Sequence, residues 1–179
     1  MKIKNLTRMA LMLALLIVSA QLAIPIGPVA VTFQSLIVLI IGLSFPKKQA
    51  ILTLVVYVLA GLIGLPVFAQ AMGGPHSVFL PSFGFIFSFI PAVWLMAKLN
   101  EGNSKSTKKI YLFSILLGNS VIYLIGILYM SFILRVHLGN NFGLWKILSI
   151  GLFPFIPADI IKSILAIQIA KRLKKHIKK

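Results

Sequence analysis

Apolar residues run along this chain in blocks of about 15 to 25, too long for strands and too evenly apolar for the one-faced helices of a soluble core. The pattern predicts six membrane-spanning helices, over residues 9–24, 31–45, 50–64, 83–97, 110–134 and 155–172, in a single integral-membrane domain covering 1–179. The second block is short for a hydrocarbon layer about 30 Å thick, so its neighbours must cover one of its ends. The first block, after Arg8, looks superficially like a signal peptide. It lacks a small-x-small cleavage site and further spans follow, so a retained helix is expected.

Two breaks between the blocks are not polar loops. In IPIGPVAVTFQS, Pro25, Gly27 and Pro28 forbid a continuous helix, and Thr32 and Gln34 place hydrogen-bonding groups at the start of the next one. Thr32 reads as a cap, while Gln34 suits either capping or a cavity rim. The second break, GLPVFAQAMGGPHSVFLPSFGF from Gly64 to Phe85, is interrupted by Pro66, Gly73, Gly74, Pro75 and Pro81, yet it is apolar and aromatic. Irregular backbone of that composition persists near a membrane only where it is buried in protein or lines a cavity, so it is expected to form a lid or pocket wall. His76 within it reads as a surface or capping group. In the fifth span Gly118 and Gly126 suggest close helix packing, and Asn119 and Tyr123 need polar partners. Ala10 and Ala14 in the first span put two small residues on one face, one turn apart.

Composition sharpens this picture. Hydrophobic residues make up 59% of the chain and charged ones 11%, more apolar surface than a soluble domain of 179 residues can hide. The net charge of +16 would point to nucleic acid in a soluble protein. Here the basic residues fall at the ends of apolar blocks. With six spans, the N-terminal cluster, Lys47 and Lys48, the 98–109 loop and the C-terminal cluster share one side, against only Arg135 and Lys146 on the other. The positive-inside rule then puts both termini in the cytoplasm. Both Pro/Gly-rich breaks and the start of the last span fall on the outer side, which predicts an outward-facing ligand pocket capped by irregular loops.

The chemistry converges on that last span. The chain has two acidic residues, Glu101 in a polar loop and Asp159 in PFIPADIIKSILAIQIA, with Lys162 three residues on among isoleucines. Each charge costs about 2.5–3.5 kcal/mol at mid-membrane on insertion scales, so both need a reason. In one reading Asp159 lies in the first turn of a helix begun near Pro157, and Lys162 at i+3 neutralises it. In the other, Asp159 accepts hydrogen bonds from N–H donors of a small, largely apolar acid, and Lys162 meets an anionic group. The absence of cysteine excludes thiolate metal sites and thiol nucleophiles. There is no GxxxxGK[ST] or HExxH motif, and one usable carboxylate cannot form a two-carboxylate acid/base pair. Binding or transport is favoured over catalysis, and no metal or cofactor is expected.

The blocks IPIGPVAVTFQSL (24–36), GLPVFA (64–69), Gly73–Gly74, Tyr123 with Gly126, and PFIPADIIK (154–162), with Ala10 and Ala14, together resemble the BioY family, the biotin-specific substrate-binding components of energy-coupling-factor (ECF) transporters. The resemblance covers nearly the full length. It implies a multi-pass protein of the bacterial cytoplasmic membrane that captures biotin on the outer side for uptake. Asp159 and Lys162 would engage the ureido ring and the polar end of the ligand, with Gln34, Phe68, Gly73, Gly74 and Tyr123 also in the biotin site. Ala10 and Ala14 would dock on a transmembrane coupling protein driven by two ABC-type ATPases, which supply the ATP hydrolysis. The chain departs from the family pattern in AQAMGG and in LPSFGF, where Met72, Phe83 and Phe85 replace smaller or polar residues, and Gln70 is the expected substitute for the lost loop contact. Other readings are an S component for another small vitamin and a non-transport membrane scaffold held by the Asp159–Lys162 pair. A subunit working alone would be expected as a homo-oligomer.

Overall fold

The computed structural model describes residues 3–101, 108–137, 139 and 142–177. Of the basic residues used to orient the chain, Lys2, Lys105, Lys178 and Lys179 lie outside that set. The fold is mostly helical. Helix α1 (Ile3–Gln21) leads into a two-stranded hairpin, β1 (Ala23–Ile26) and β2 (Val29–Thr32), then α2 (Gln34–Ser44) and α3 (Lys47–Leu62). Short 3-10 turns at Ala69–Ala71 and Pro75–Phe79 follow, then α4 (Phe83–Asn100), α5 (Lys108–Phe132) extended by a π turn (Ile133–His137), α6 (Leu144–Gly151) and α7 (Ile156–Ile177).

Three features depart from the sequence pattern. The fold is not purely helical: residues 23–32, read as a break running into the second span, pair as an antiparallel hairpin with Ile26 opposite Val29. The physical signal was present, because β-branched residues flank a two-residue turn in which Gly27 takes φ +82°. Second, the stretch before the last span holds α6, bent by 43° from α7 across the Leu152–Phe155 break. Third, among the described residues only α1, α4 and α5 with its π turn are each long and apolar enough to cross a membrane, and the bent α6–α7 pair makes a fourth. Helix α2 is apolar but at about 1.5 Å per residue reaches only about 16 Å, and the two lysines opening α3 lower its hydropathy.

Helix α2 is the centre of the bundle, against α1, α4 and α7. From Leu36 to Leu43 it is apolar on every side, as an enclosed helix must be, and Val38 and Ile41 are fully buried. The α4–α5 pair is the most extensive helix contact. Gly84 faces the Cβ of Tyr129 and Gly126 faces the ring of Phe85, each so closely that an added Cβ would collide. Gly118 abuts the flexible Met96 side chain. The expected close packing at Gly118 and Gly126 is therefore how α5 reaches α4, while Pro91 is accommodated inside α4.

Replacing Gly126 by valine should lower stability by about 1–3 kcal/mol through overpacking against Phe85, seen as a lower unfolding temperature of the purified protein in detergent.

Candidate functional site

Helix α7 starts at Ile156, so Pro157 sits in its first turn and Asp159 near the positive end of the helix dipole. One turn on, Lys162 Nζ donates to Asp159 Oδ1 at 3.0 Å. Ser35, on the first turn of α2, bridges them: its Oγ accepts from Lys162 Nζ at 2.9 Å and donates to Asp159 Oδ1 at 3.3 Å. The Tyr123 hydroxyl of α5 donates to Asp159 Oδ2. Three helices thus converge on one ion pair, and only 6% of the Lys162 side chain and 15% of that of Asp159 is exposed.

This cluster forms one pole of a cavity of about 190 Å³. The wall is otherwise rich in aromatic rings, with Phe68, Phe83, Phe85, Phe89 and Phe155. Phe68 meets Tyr57 and Phe83 edge-on, at ring centroid distances of 5.6 and 6.2 Å. The rim comes from the two irregular segments: Gly27 and Pro28 at the hairpin turn, and Ala69, Gln70 and Met72 from the 64–82 loop. Residues of that loop line the cavity, and so do Phe83 and Phe85.

The structure gathers Asp159, Lys162, Gln34, Gln70, Phe68 and Tyr123 around this cavity. Gln34 is buried, with its amide engaged inside the protein: Nε2 donates to the Tyr57 hydroxyl, and Oε1 accepts from Thr32 Oγ1 at 3.2 Å. Tyr57 passes the connection to the Val67 carbonyl at 2.9 Å, which ties hairpin, α2, α3 and loop together. Thr32 Oγ1 accepts from the backbone N–H of Gln34 at 3.3 Å, but the residue at the N-cap of α2 is Phe33, which makes no side-chain capping bond, so Thr32 meets that N–H from before the cap position. Gly73 and Gly74 are not in the cavity wall. Gly73 packs so tightly on the Leu65 carbonyl that no Cβ would fit, and Gly74, at φ +99°, donates its N–H to Gly61 O at 2.6 Å. They shape the loop from behind. His76 is exposed. Ala10 and Ala14 are exposed on α1, away from the cavity.

Two residues escaped the sequence reading. Ser35 carried no signal beyond lying beside Gln34. Gln21, the last residue of α1, donates from Nε2 to Phe68 O at 3.0 Å and accepts at Oε1 from the Ala71 N–H at 2.9 Å. A lone amide closing an apolar run opposite a second irregular segment was the cue for it.

The ion pair is only partly consumed by its neighbours. An ammonium has three donors, and two are used on Asp159 and Ser35; the carboxylate can take further bonds at Oδ2 beside Tyr123. The pole can therefore offer both an acceptor and a donor to one polar group while carrying no net charge, and the aromatic wall suits an apolar body.

Helices of membrane length around a cavity with one buried ion pair and an aromatic wall define a class, that of helical membrane proteins with a small-molecule cavity. Within it, the chain belongs to the BioY family, whose model matches residues 1–179. It is 36% identical over 172 residues to the biotin transporter BioY of Thermotoga maritima, covering 96% of both chains. It is 36% identical over 173 residues to a probable biotin transporter BioY of Pyrococcus horikoshii, covering 97% of this chain and 98% of that one. The fold matches a crystal structure, at 2.1 Å, of the S-component for biotin from an ECF-type ABC transporter, with TM-score 0.84 and 30% identity over 97% of this chain and 92% of that one.

Lys162→Met should destabilise the protein by about 3–5 kcal/mol, because it strands the Asp159 carboxylate, whereas adding Asp159→Asn to it should recover much of the loss. Thermal unfolding of the two variants beside the parent protein reads the difference.

Proposed function

We propose that this chain is the biotin-specific S component of an ECF-type transporter, capturing biotin for uptake across the cell membrane. The observation that carries the reading is the Asp159–Lys162 pair, held by Ser35 and Tyr123 on an aromatic cavity, in a chain of the BioY family. Biotin joins a cyclic urea, with N–H donors beside a carbonyl acceptor, to an apolar ring and chain ending in a carboxylate. In this reading Asp159 accepts from a ureido N–H, Lys162 donates to a ligand oxygen, and the aromatic wall holds the apolar ring. Phe68, Gln70 and Tyr123 are direct neighbours of the ligand, and Gln34 sets the wall through Tyr57 and Thr32.

The membrane arrangement belongs to the same proposal. The chain crosses six times, with α2 and α3 completing the set and the hairpin covering the outer end of α2. The basic clusters and both termini are cytoplasmic, which leaves the cavity rim outside. A coupling protein docks on the small-residue face of α1, where Ala10 and Ala14 are exposed, and two ABC-type ATPases hydrolyse ATP for the assembly.

Purified protein should bind biotin saturably. Asp159→Asn and Lys162→Ala should each weaken binding by about 10-fold or more, since each removes charge-assisted hydrogen bonds. Equilibrium binding with a panel of other vitamins as competitors checks this. Preference for a different vitamin would reassign the substrate, and no saturable ligand at all, with both variants merely less stable, would leave a scaffold.

A further inference from the structure

Residues 68–72 form a tight loop at the cavity rim, closed by the Phe68 N–H donating to Met72 O at 2.9 Å. Within it Gln70 and Ala71 have φ of 60° and 54°, the left-handed region that residues with a Cβ rarely adopt. Gln70 is exposed and also lines the cavity. Neither strained residue is glycine, and local preference does not explain the shape.

What holds the loop comes from another element. The Gln21 amide reaches from the end of α1 and binds both ends of the strained turn, donating to Phe68 O at 3.0 Å and accepting from Ala71 N at 2.9 Å. Its Nε2 also lies 3.5 Å from the Ile17 carbonyl in its own helix. An amide side chain offers a donor and an acceptor side by side, as these two bonds require, and an ionised carboxylate offers acceptors alone. Two residues after Gln21 the hairpin begins, and its Gly27–Pro28 turn borders the same rim. Gln21 therefore fastens one lip of the cavity to the root of the other.

We propose that Gln21 is the latch of a gate. It is a positioning residue that holds residues 68–72 closed over the site, and the ligand enters and leaves when its two hydrogen bonds break and the strained turn relaxes outward. The ligand is biotin on the reading above, but the latch itself can be measured without a ligand.

The test uses the full-length protein in detergent or lipid nanodiscs, with Gln21→Ala and Gln21→Glu beside the parent. Without ligand, hydrogen exchange of the amides in residues 68–72 should speed up by about 10-fold in Gln21→Ala, the effect of losing two modest hydrogen bonds, while the helices keep their protection. With radiolabelled biotin, association and dissociation should both accelerate by about 10-fold, so that Kd moves less than either rate. Gln21→Glu keeps the acceptor for the Ala71 N–H but sets a carboxylate against the Phe68 carbonyl, and its rates should fall between those of the other two proteins. Unchanged exchange in residues 68–72, or faster dissociation with unchanged association, would overturn the gate and leave Gln21 as part of a static wall. Parent protein that binds no biotin would instead count against the function proposed above, and amide exchange would still decide the latch.

Discussion

Lys162 places an ammonium where only 6% of its side chain is exposed, and a charge so buried persists only with a carboxylate and further hydrogen-bond partners in reach. Asp159 supplies the first by its i+3 position on the same helix. Ser35 of α2 accepts a second bond from the ammonium and Tyr123 of α5 donates to the carboxylate, so satisfying the two charges fixes how α7 approaches both helices. A shift of α7 along its axis by one turn would part the pair from Ser35 and Tyr123 together. The packing of the last helix is thus set as much by one polar cluster as by the apolar surface around it, which in a membrane gains little from leaving lipid.

A similar constraint explains the irregular segments. Backbone that is neither helix nor sheet must find its hydrogen bonds elsewhere when water is scarce. The hairpin does so by pairing with itself. The 64–82 loop does so through Gly74 to Gly61, Phe68 to Met72, Tyr57 to Val67, Tyr129 to Val78, and Gln21 to Phe68 and Ala71. Apart from the Phe68 to Met72 bond inside the loop, these bonds come from α1, α3 and α5. The loop can therefore be irregular and still hold a wall around a cavity, which a solvated loop of the same length would not do.

What was legible in the sequence follows from these constraints. Asp159 and Lys162 stood out because charge in apolar sequence is costly, and the two breaks stood out because proline and glycine cannot continue a helix. These features placed the cavity and most of its wall. The hairpin was missed because its ten residues sit between two helices and their prolines were read only as breakers. Helix α6 was hidden by the polar residues before it. Ser35 and Gln21 were passed over for a different reason: their partners lie 124 to 127 and 47 to 50 residues away, so even the lone amide that marks Gln21 does not say what it binds. Gly73 and Gly74 show the reverse case, conspicuous in the sequence as pocket residues but used to let Leu65 and Gly61 close in behind the loop.

The question left by the sequence was whether Asp159 and Lys162 serve a ligand or each other. The geometry makes these roles compatible. The two side chains are paired directly, so neither stands as an isolated charge in the cavity, and the remaining lone pair and N–H are enough to engage one group that both donates and accepts. A ligand entering such a site exchanges hydrogen bonds with water for hydrogen bonds with a neutral pair, without first separating two buried ions. On the proposed function, that favours placing the uncharged urea against the pair and leaving the carboxylate toward the rim, where Gln70 and the hairpin turn are exposed. Discrimination would then come from the shape and hydrogen-bond pattern of the ligand's neutral head, and much less from its charge.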